Sequence, residues 1–170
     1  MFNHSIFNQA IEWLFSIEGR HHHQVSGDRG GETKFGISKR THPDLDIANL
    51  TEEQARAIYY DDYWLAYSCH QLPPALGWAL FGGVVNHNPR TAIRLMQQSL
   101  GVRADGDNGP KTQAAAAAAD PTVVLIDYCS RRGQLYHDIA QSNSTQEKFV
   151  RGWLKRLFSL QSAIHNARLL

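Results

Sequence analysis

The chain has 170 residues, about one globular domain, of which 42% are hydrophobic and 19% are charged. Its formal net charge of +1 at pH 7 gives no indication of a nucleic-acid partner, and no apolar run is long enough to span a membrane. The first residues lack the basic segment of a secretory signal peptide. We therefore expect a soluble monomer made in the cytoplasm, which needs a separate release system if its substrate lies outside.

The charge is unevenly distributed along the chain. Residues 44–62 contain six acidic residues and one arginine, whereas residues 145–170 contain five basic residues and one glutamate. The second segment predicts either a solvated helix face or a basic face that contacts an anionic cell-envelope surface. Cys69 and Cys129 form no CxxC pair, which argues against a zinc or redox motif and leaves open whether they pair with each other.

An amphipathic helix is predicted at the start of the chain. Apolar side chains recur at helical spacing over the first 17 residues, so we expect a helix from about Ser5 to Glu18. Gly19 follows at the position where glycine commonly ends a helix. Residues 20–36 are rich in glycine and have no helical period, which predicts a loop with room for a short β-hairpin.

Helix-start signals recur through the rest of the chain. Thr51–Gln54 is a capping box that predicts a helix to about Tyr67. The apolar segment Ala75–Val85 predicts a buried helix. Ser144–Glu147 is a second capping box and predicts the start of the last helix.

Three prolines mark further helix starts, because proline is favoured in the first turn. They are Pro89 after Asn88, Pro110 before an alanine-rich segment, and Pro121 after Asp120. No linker separates two domains, so we predict a single, mainly α domain over residues 1–170 with a small β region after the first helix.

The end of the first helix and the loop after it carry candidate catalytic groups. The partial negative charge at a helix C-terminus favours the protonated form of Glu18, whereas backbone N–H groups in a glycine-rich loop favour ionised Asp28. Such a pair can divide the roles of acid and base in glycosidic bond cleavage, and the Thr33 hydroxyl can orient a water. The alternative is a surface glutamate at a helix end and an aspartate in a turn.

Five segments carry a family resemblance, and they follow one another in the family's order. They are Glu18–Gly19 with Asp28–Ile37, Ile58–Trp64, Phe81–Asn86, Gln97–Thr112 and Phe149–Arg156. Together these segments resemble the glycoside hydrolase 108 family of N-acetylmuramidases, many of which are phage endolysins. The resemblance implies a lysozyme-like helical fold, hydrolysis of the β-1,4 bond between N-acetylmuramic acid and N-acetylglucosamine in peptidoglycan, and no cofactor.

The resemblance also implies roles for parts of the chain. Residues 1–88 correspond to the catalytic motifs, and residues 89–170 correspond to a helical part described as peptidoglycan-binding. Glu18 matches the catalytic glutamate, and an analogy with phage-type lysozymes makes Asp28 and Thr33 candidates for positioning or activating water. A phage endolysin without a signal peptide is released by a holin.

The sequence departs from the family pattern at three places. Arg20 and His21 stand where the family has glycine and an aromatic residue, Gly82 replaces an aspartate, and Asn88 replaces a glycine. These changes leave Glu18 intact and predict an atypical loop beside it.

Three further residues are predicted to line the substrate cleft. They are Tyr63, from an otherwise core-forming aromatic stripe, Asn86, which can bond an N-acetyl group, and His21. We interpret Trp153 as a core anchor and Arg156 as a charge partner. A lytic transglycosylase, which also works with one glutamate, and a non-catalytic wall-binding module are the alternative functions.

No metal site is predicted. His21, His22 and His23 are adjacent, and neighbouring side chains in an extended loop point to alternate sides. The loop that begins at Asp105 has Ala116 where a calcium-binding EF-hand requires an acid.

Overall fold

The computed structural model describes residues 4–24 and 31–170. Within these ranges the helices are α1 (His4–Glu18), α2 (Glu52–Tyr59), α3 (Pro74–Asn86), α4 (Pro89–Ser99), α5 (Pro110–Ala118), α6 (Pro121–Ser142) and α7 (Glu147–Asn166). Three short strands follow α1: β1 (His23–Gln24), β2 (Glu32–Lys34) and β3 (Ile37–Ser38). The prediction of a mainly α fold with a small β region after the first helix is confirmed.

The three strands form an antiparallel sheet in the order β1-β2-β3. Thr33 is paired with His23 on one side and with Ser38 on the other. Asp28 lies outside the described residues, in the segment between β1 and β2.

Helix α3 is the centre of the fold. Its side chains are buried almost throughout, and it packs against α1, α4, α6 and α7. An apolar helix without a polar face is expected in this position, because every side of it meets another element. The surrounding helices are amphipathic, and a single buried core includes residues from α1 through α7.

The helix after Thr51 differs from its prediction. Thr51 and Gln54 form the predicted capping box. However, α2 ends at Tyr59 and continues as a π-helix over Tyr60–Leu65, where the N–H of Ala66 donates to the carbonyl of Asp61 at 3.2 Å. The prediction of a helix to about Tyr67 is thus confirmed to within two residues, but apolar spacing does not distinguish π-helical from α-helical turns and did not predict the change of helix type.

The start of the last helix also differs. The Asn143 side chain accepts a hydrogen bond from the Thr145 N–H at 3.1 Å, and Ser144–Gln146 forms a 3₁₀ turn before α7 begins at Glu147. The predicted capping box at Ser144 is therefore wrong, since the preceding asparagine caps the chain instead. The proline-started helices α4, α5 and α6 begin where predicted.

Cys69 and Cys129 are both buried free thiols. Burial raises the pKa of the Cys129 thiol to about 11, which keeps it protonated and unreactive at neutral pH. No helix in the described ranges is long and apolar enough to cross a membrane.

We predict that Thr51→Ala lowers the free energy of unfolding by about 1 kcal/mol, because the substitution removes one half of the capping box. Urea denaturation monitored by circular dichroism measures the change. Thr51→Ser keeps the hydroxyl and should retain most of the stability. Equal stability of wild type and Thr51→Ala would contradict the prediction.

Candidate active site

Glu18 is the last residue of α1, and the backbone turns sharply after it. Gly19 adopts a left-handed conformation with φ of +83°, and its N–H donates to the Phe15 carbonyl at 3.0 Å. A residue with a side chain is strained in this conformation, whereas glycine is not. The predicted glycine end of the helix is thus confirmed, and it leaves the Glu18 carboxyl at the edge of the core with a quarter of its side chain exposed (25%).

The Glu18 carboxylate forms an ion pair with Arg156 of α7. The Arg156 side chain is largely buried, with 14% of its surface exposed. The structure therefore gives Glu18 a partner on α7 that the sequence of α1 did not indicate.

Gly36 and Tyr59 enclose the other side of Glu18. A Cβ atom on Gly36 would lie 2.8 Å from both Glu18 Cγ and Tyr59 Oη, so only glycine fits here. The Tyr59 hydroxyl donates to the Phe35 carbonyl at 3.0 Å. Burial, reinforced by the Glu18 carboxylate, raises the pKa of Tyr59 and keeps its phenol protonated. Glu18 thus lies between the Arg156 guanidinium on one side and the uncharged Gly36 and Tyr59 on the other.

Arg20, at the start of the loop after α1, forms ion pairs with residues of α1 and α2. Its guanidinium lies 2.6 Å from Glu12 of α1 and 3.5 Å from Glu52 of α2, and it sits over the Phe15 ring. Arg56 contacts the same two glutamates from α2. Two guanidiniums and two carboxylates therefore anchor the chain directly after Glu18.

A groove of about 580 Å³ has Arg156, the ion-pair partner of Glu18, in its lining. It is lined by the end of α1, the end of α3 and one face of α7, through Ser16, Ile17, Asn86, Gly152, Trp153, Lys155, Arg156 and Ser159. Of the residues predicted to bind substrate, Asn86 lines this groove, whereas Tyr63 and His21 are outside the described lining.

A hydrogen-bond relay fixes Asn86 at the groove. Its Nδ2 donates to Tyr136 Oη at 3.1 Å, and the same oxygen accepts from Arg132 Nη2 at 3.1 Å. Arg132 is fully buried and also donates to the Gly82 carbonyl at 3.3 Å. Its Nε and Nη1 atoms have no hydrogen-bond partner within the described ranges. A buried cation on α6 therefore orients a side chain at the end of α3.

An aromatic row backs the groove. The ring centroids of His87 and Tyr136 are 5.2 Å apart, those of Tyr136 and Trp153 are 5.3 Å apart, and Phe149 lies 6.1 Å beyond Trp153. Trp153 is thus part core anchor, as interpreted from the sequence, and part groove wall. The other residues of the row come from α6, from α7 and from the position just after α3, so no local sequence signal connects them.

The remaining predicted site residues lie apart from the groove lining. Tyr63 is half-buried in the π-helix, with its ring centroid 5.5 Å from that of Tyr59. Thr33 lies in the central strand of the sheet and is partly buried. His21 is exposed between Glu18 and β1. The position of Asp28 is outside the described residues.

No group of three potential metal-ligating residues occurs in the part of the chain that the structure describes. In the Asp105 loop, Asp105 Oδ1 accepts hydrogen bonds from Gln97 and from the Asp107 N–H, at 2.7 and 3.0 Å. This carboxylate therefore shapes the turn before α5.

We predict that Gly36→Ala destabilises the protein by about 3 kcal/mol, because it combines left-handed strain with contacts against Glu18 and Tyr59. Gly101→Ala is the matched control. Gly101 has φ of +68° and nothing within 4 Å of its Cβ position, so it should lose only about 1 kcal/mol from strain. Urea denaturation measures both losses, and equal losses would contradict the proposed close approach.

The protein is also predicted to lose stability in acid through His87. Burial, followed by the charges of Arg132 and Arg156, lowers the pKa of His87 to about 3. Between about pH 6.5 and 3 the unfolded chain binds a proton at this histidine and the folded chain does not, so stability falls as the pH falls.

The slope from this one group is at most about 1.4 kcal/mol per pH unit. Thermal unfolding of His87→Gln between pH 8 and 4 should show a shallower loss than wild type, while exposed His137→Gln should follow wild type. A wild-type slope in His87→Gln would show that His87 does not contribute.

Comparison with known proteins identifies two adjacent segments. Residues 11–87 match the glycosyl hydrolase 108 family, and residues 91–158 match a predicted peptidoglycan domain. No curated protein matches the chain in sequence.

A solved structure shares the fold over nearly the whole chain. It is described as the structure of Brucella abortus SagA, has 24% sequence identity and a TM-score of 0.79, and the match covers 95% of each chain. The predicted lysozyme-like helical fold is confirmed by this similarity. The two matched segments follow each other and cover most of the chain, and the glycosyl hydrolase 108 match over residues 11–87 indicates a glycoside hydrolase that acts on peptidoglycan.

Proposed function

We propose that the protein is an N-acetylmuramidase that cleaves the β-1,4 bond between N-acetylmuramic acid and N-acetylglucosamine, with Glu18 as general acid. The observation that carries the proposal is the Glu18 carboxyl beside the groove, held by Arg156 and walled by Gly36 and Tyr59. Among the described residues that line the groove and the residues that contact them, Glu18 is the acidic side chain available for proton transfer.

In the proposed reaction, protonated Glu18 donates its proton to the glycosidic oxygen. The bond between that oxygen and the anomeric carbon of N-acetylmuramic acid breaks, and N-acetylglucosamine leaves with a hydroxyl group. Water then adds to the anomeric carbon, and Asp28 accepts the proton that this water loses. Thr33 orients the water, and attack from the opposite face gives inversion at the anomeric carbon.

Proton donation by Glu18 also depends on its contact with Arg156. Because Arg156 holds the Glu18 side chain in an ion pair, this contact must loosen when the polysaccharide occupies the groove and Glu18 acts as the acid.

Three polar or aromatic residues are proposed to hold the sugar chain. Asn86 has the best structural support, because the Tyr136 relay fixes it in the groove lining. Tyr63 continues the aromatic wall beyond Tyr59. His21 lies three residues after Glu18 and is exposed to a bound polymer.

We also propose that the two family segments act as one domain. The groove combines α1 and α3 from residues 11–87 with α7 from residues 91–158. An endolysin role, with release by a holin, would bring this domain to its substrate. The exposed basic side chains of α7, such as Lys148 and Arg151, would then contact anionic envelope polymers.

A lytic transglycosylase is the second candidate function. It too needs one acid, and among the described residues Glu18 is the carboxyl that pairs with a residue of the groove lining, Arg156. A transglycosylase leaves a 1,6-anhydro-muramoyl end, whereas a muramidase leaves a reducing end.

The decisive test is Glu18→Gln, which keeps the side-chain size and removes the acid. We expect hydrolysis of purified peptidoglycan to fall by about 10²–10⁴-fold while the fold is unchanged, because a general acid typically contributes that much to the rate. Glu53→Gln, at an exposed position on α2, is the matched control and should keep wild-type activity.

Mass spectrometry of the wild-type products completes the test. Reducing muramic acid ends support the muramidase, and anhydro ends support the transglycosylase. Near wild-type activity in folded Glu18→Gln would overturn the assignment of Glu18. Binding of wild type to sacculi without any cleavage would instead indicate a non-catalytic wall-binding module.

A further inference from the structure

Gly152 has no structural reason to be a glycine. It lies inside α7, where glycine is less favourable than alanine because its backbone loses more freedom on folding. Its φ is not in the left-handed region, and a Cβ atom there would meet nothing within 4 Å. Neither backbone strain nor close packing therefore explains this glycine.

The open space at Gly152 belongs to the groove. Gly152 is exposed and lines the groove together with Trp153, Lys155 and Arg156, which follow it on the same helix. A side chain at position 152 would project into the volume that the polysaccharide is proposed to fill. Because Gly152 has no side chain, it leaves space in the groove for a ligand.

Lys155 supplies an unpaired positive charge next to this clearance. Its side chain is exposed, it lines the groove, and it forms no ion pair with an acidic residue in the described parts of the chain. Arg156 beside it is engaged by Glu18. The acid of α7, Glu147, is two turns away and outside the groove lining. This wall of the groove therefore suits an anionic substituent.

We propose that Gly152 and Lys155 form the subsite for the N-acetylmuramic acid unit of the substrate, an inference that rests on the proposed function. Of the two sugars of peptidoglycan, only this one carries a lactyl ether, which ends in a carboxylate or continues into a carboxylate-bearing peptide. Gly152 leaves room for that bulky substituent, and Lys155 pairs with its carboxylate. The predicted peptidoglycan segment thereby determines which sugar is bound next to Glu18.

The first test compares Gly152→Ala with Gly133→Ala. Gly133 lies inside α6, also has nothing within 4 Å of its Cβ position, and is outside the lining of this groove. Both substitutions should raise Tm by roughly 1–4 °C, because alanine is the better helix former. Only Gly152→Ala should lower kcat/KM on peptidoglycan, by about tenfold, and Gly152→Leu should lower it further.

Unchanged kcat/KM in both Gly152→Ala and Gly152→Leu would overturn the clearance role. Equal losses in Gly133→Ala and Gly152→Ala would also overturn it, since the effect would then come from the helices and not from the groove. The measured Tm separates both results from misfolding.

The second test uses Lys155→Gln, with Arg94→Gln as control, because Arg94 is exposed on α4 outside the groove lining. Each is combined with Glu18→Gln, and binding is measured to peptide-bearing sacculi, to glycan strands stripped of their peptides, and to neutral chitin oligosaccharides. Lys155→Gln should weaken binding to an anionic ligand by about fivefold and leave binding to chitin oligosaccharides unchanged.

The two anionic ligands identify the carboxylate. Weakening on stripped strands assigns the lactyl carboxylate, and weakening only on sacculi assigns the peptide. Equal weakening on all three ligands, or none, would overturn the subsite. Because the measurement is the binding affinity and not product release, the comparison of Lys155→Gln with its control tests the subsite even where Glu18→Gln keeps its activity and the proposed catalytic role fails.

Discussion

The contact between Glu18 and Arg156 is the constraint on which the groove depends. It joins the end of the first helix to the last helix, across 138 residues of sequence. Neither residue is placed by its own segment, because α1 and α7 contact each other only where both pack in the tertiary fold, against each other and against α3. The two family segments must therefore fold against each other before the carboxyl has its partner. The matched peptidoglycan segment is part of the site as much as the segment that carries the glutamate.

A second constraint comes from Arg132, a buried charge on α6 within the segment that matches the peptidoglycan domain. Arg132 lies in the core without a carboxylate partner in the described ranges, which is energetically unfavourable unless other dipoles compensate. The Gly82 carbonyl, the Tyr136 hydroxyl and the face of the Tyr128 ring provide this compensation. Because Tyr136 also holds Asn86, the group that stabilises the cation orients the end of α3 at the groove.

Local signals predicted the parts of the fold that depend on a few neighbouring residues. Gly19 ends α1, Thr51 caps α2, and prolines begin α4 to α6, because each of these effects acts within one helical turn. The π-helix after Tyr59 and the cap at Asn143 were not predicted, since several local hydrogen-bond patterns suit the same residues. The partner of Glu18 and the relay to Asn86 could not be predicted, because each joins segments that only tertiary packing brings together.

Glycines show this limit most clearly, since one residue type serves three physical needs here. Gly19 provides a left-handed backbone, Gly36 allows Glu18 and Tyr59 to approach the chain, and Gly152 leaves space open at the surface of α7. In the sequence these are equivalent, but the surroundings of a hypothetical Cβ separate them. Backbone strain makes Gly19 costly to replace, and strain together with close contacts makes Gly36 costly to replace. Replacement of Gly152 should instead stabilise α7. A glycine inside a helix, beside a lysine without an acidic partner among the described residues, is the arrangement that the proposed ligand would account for.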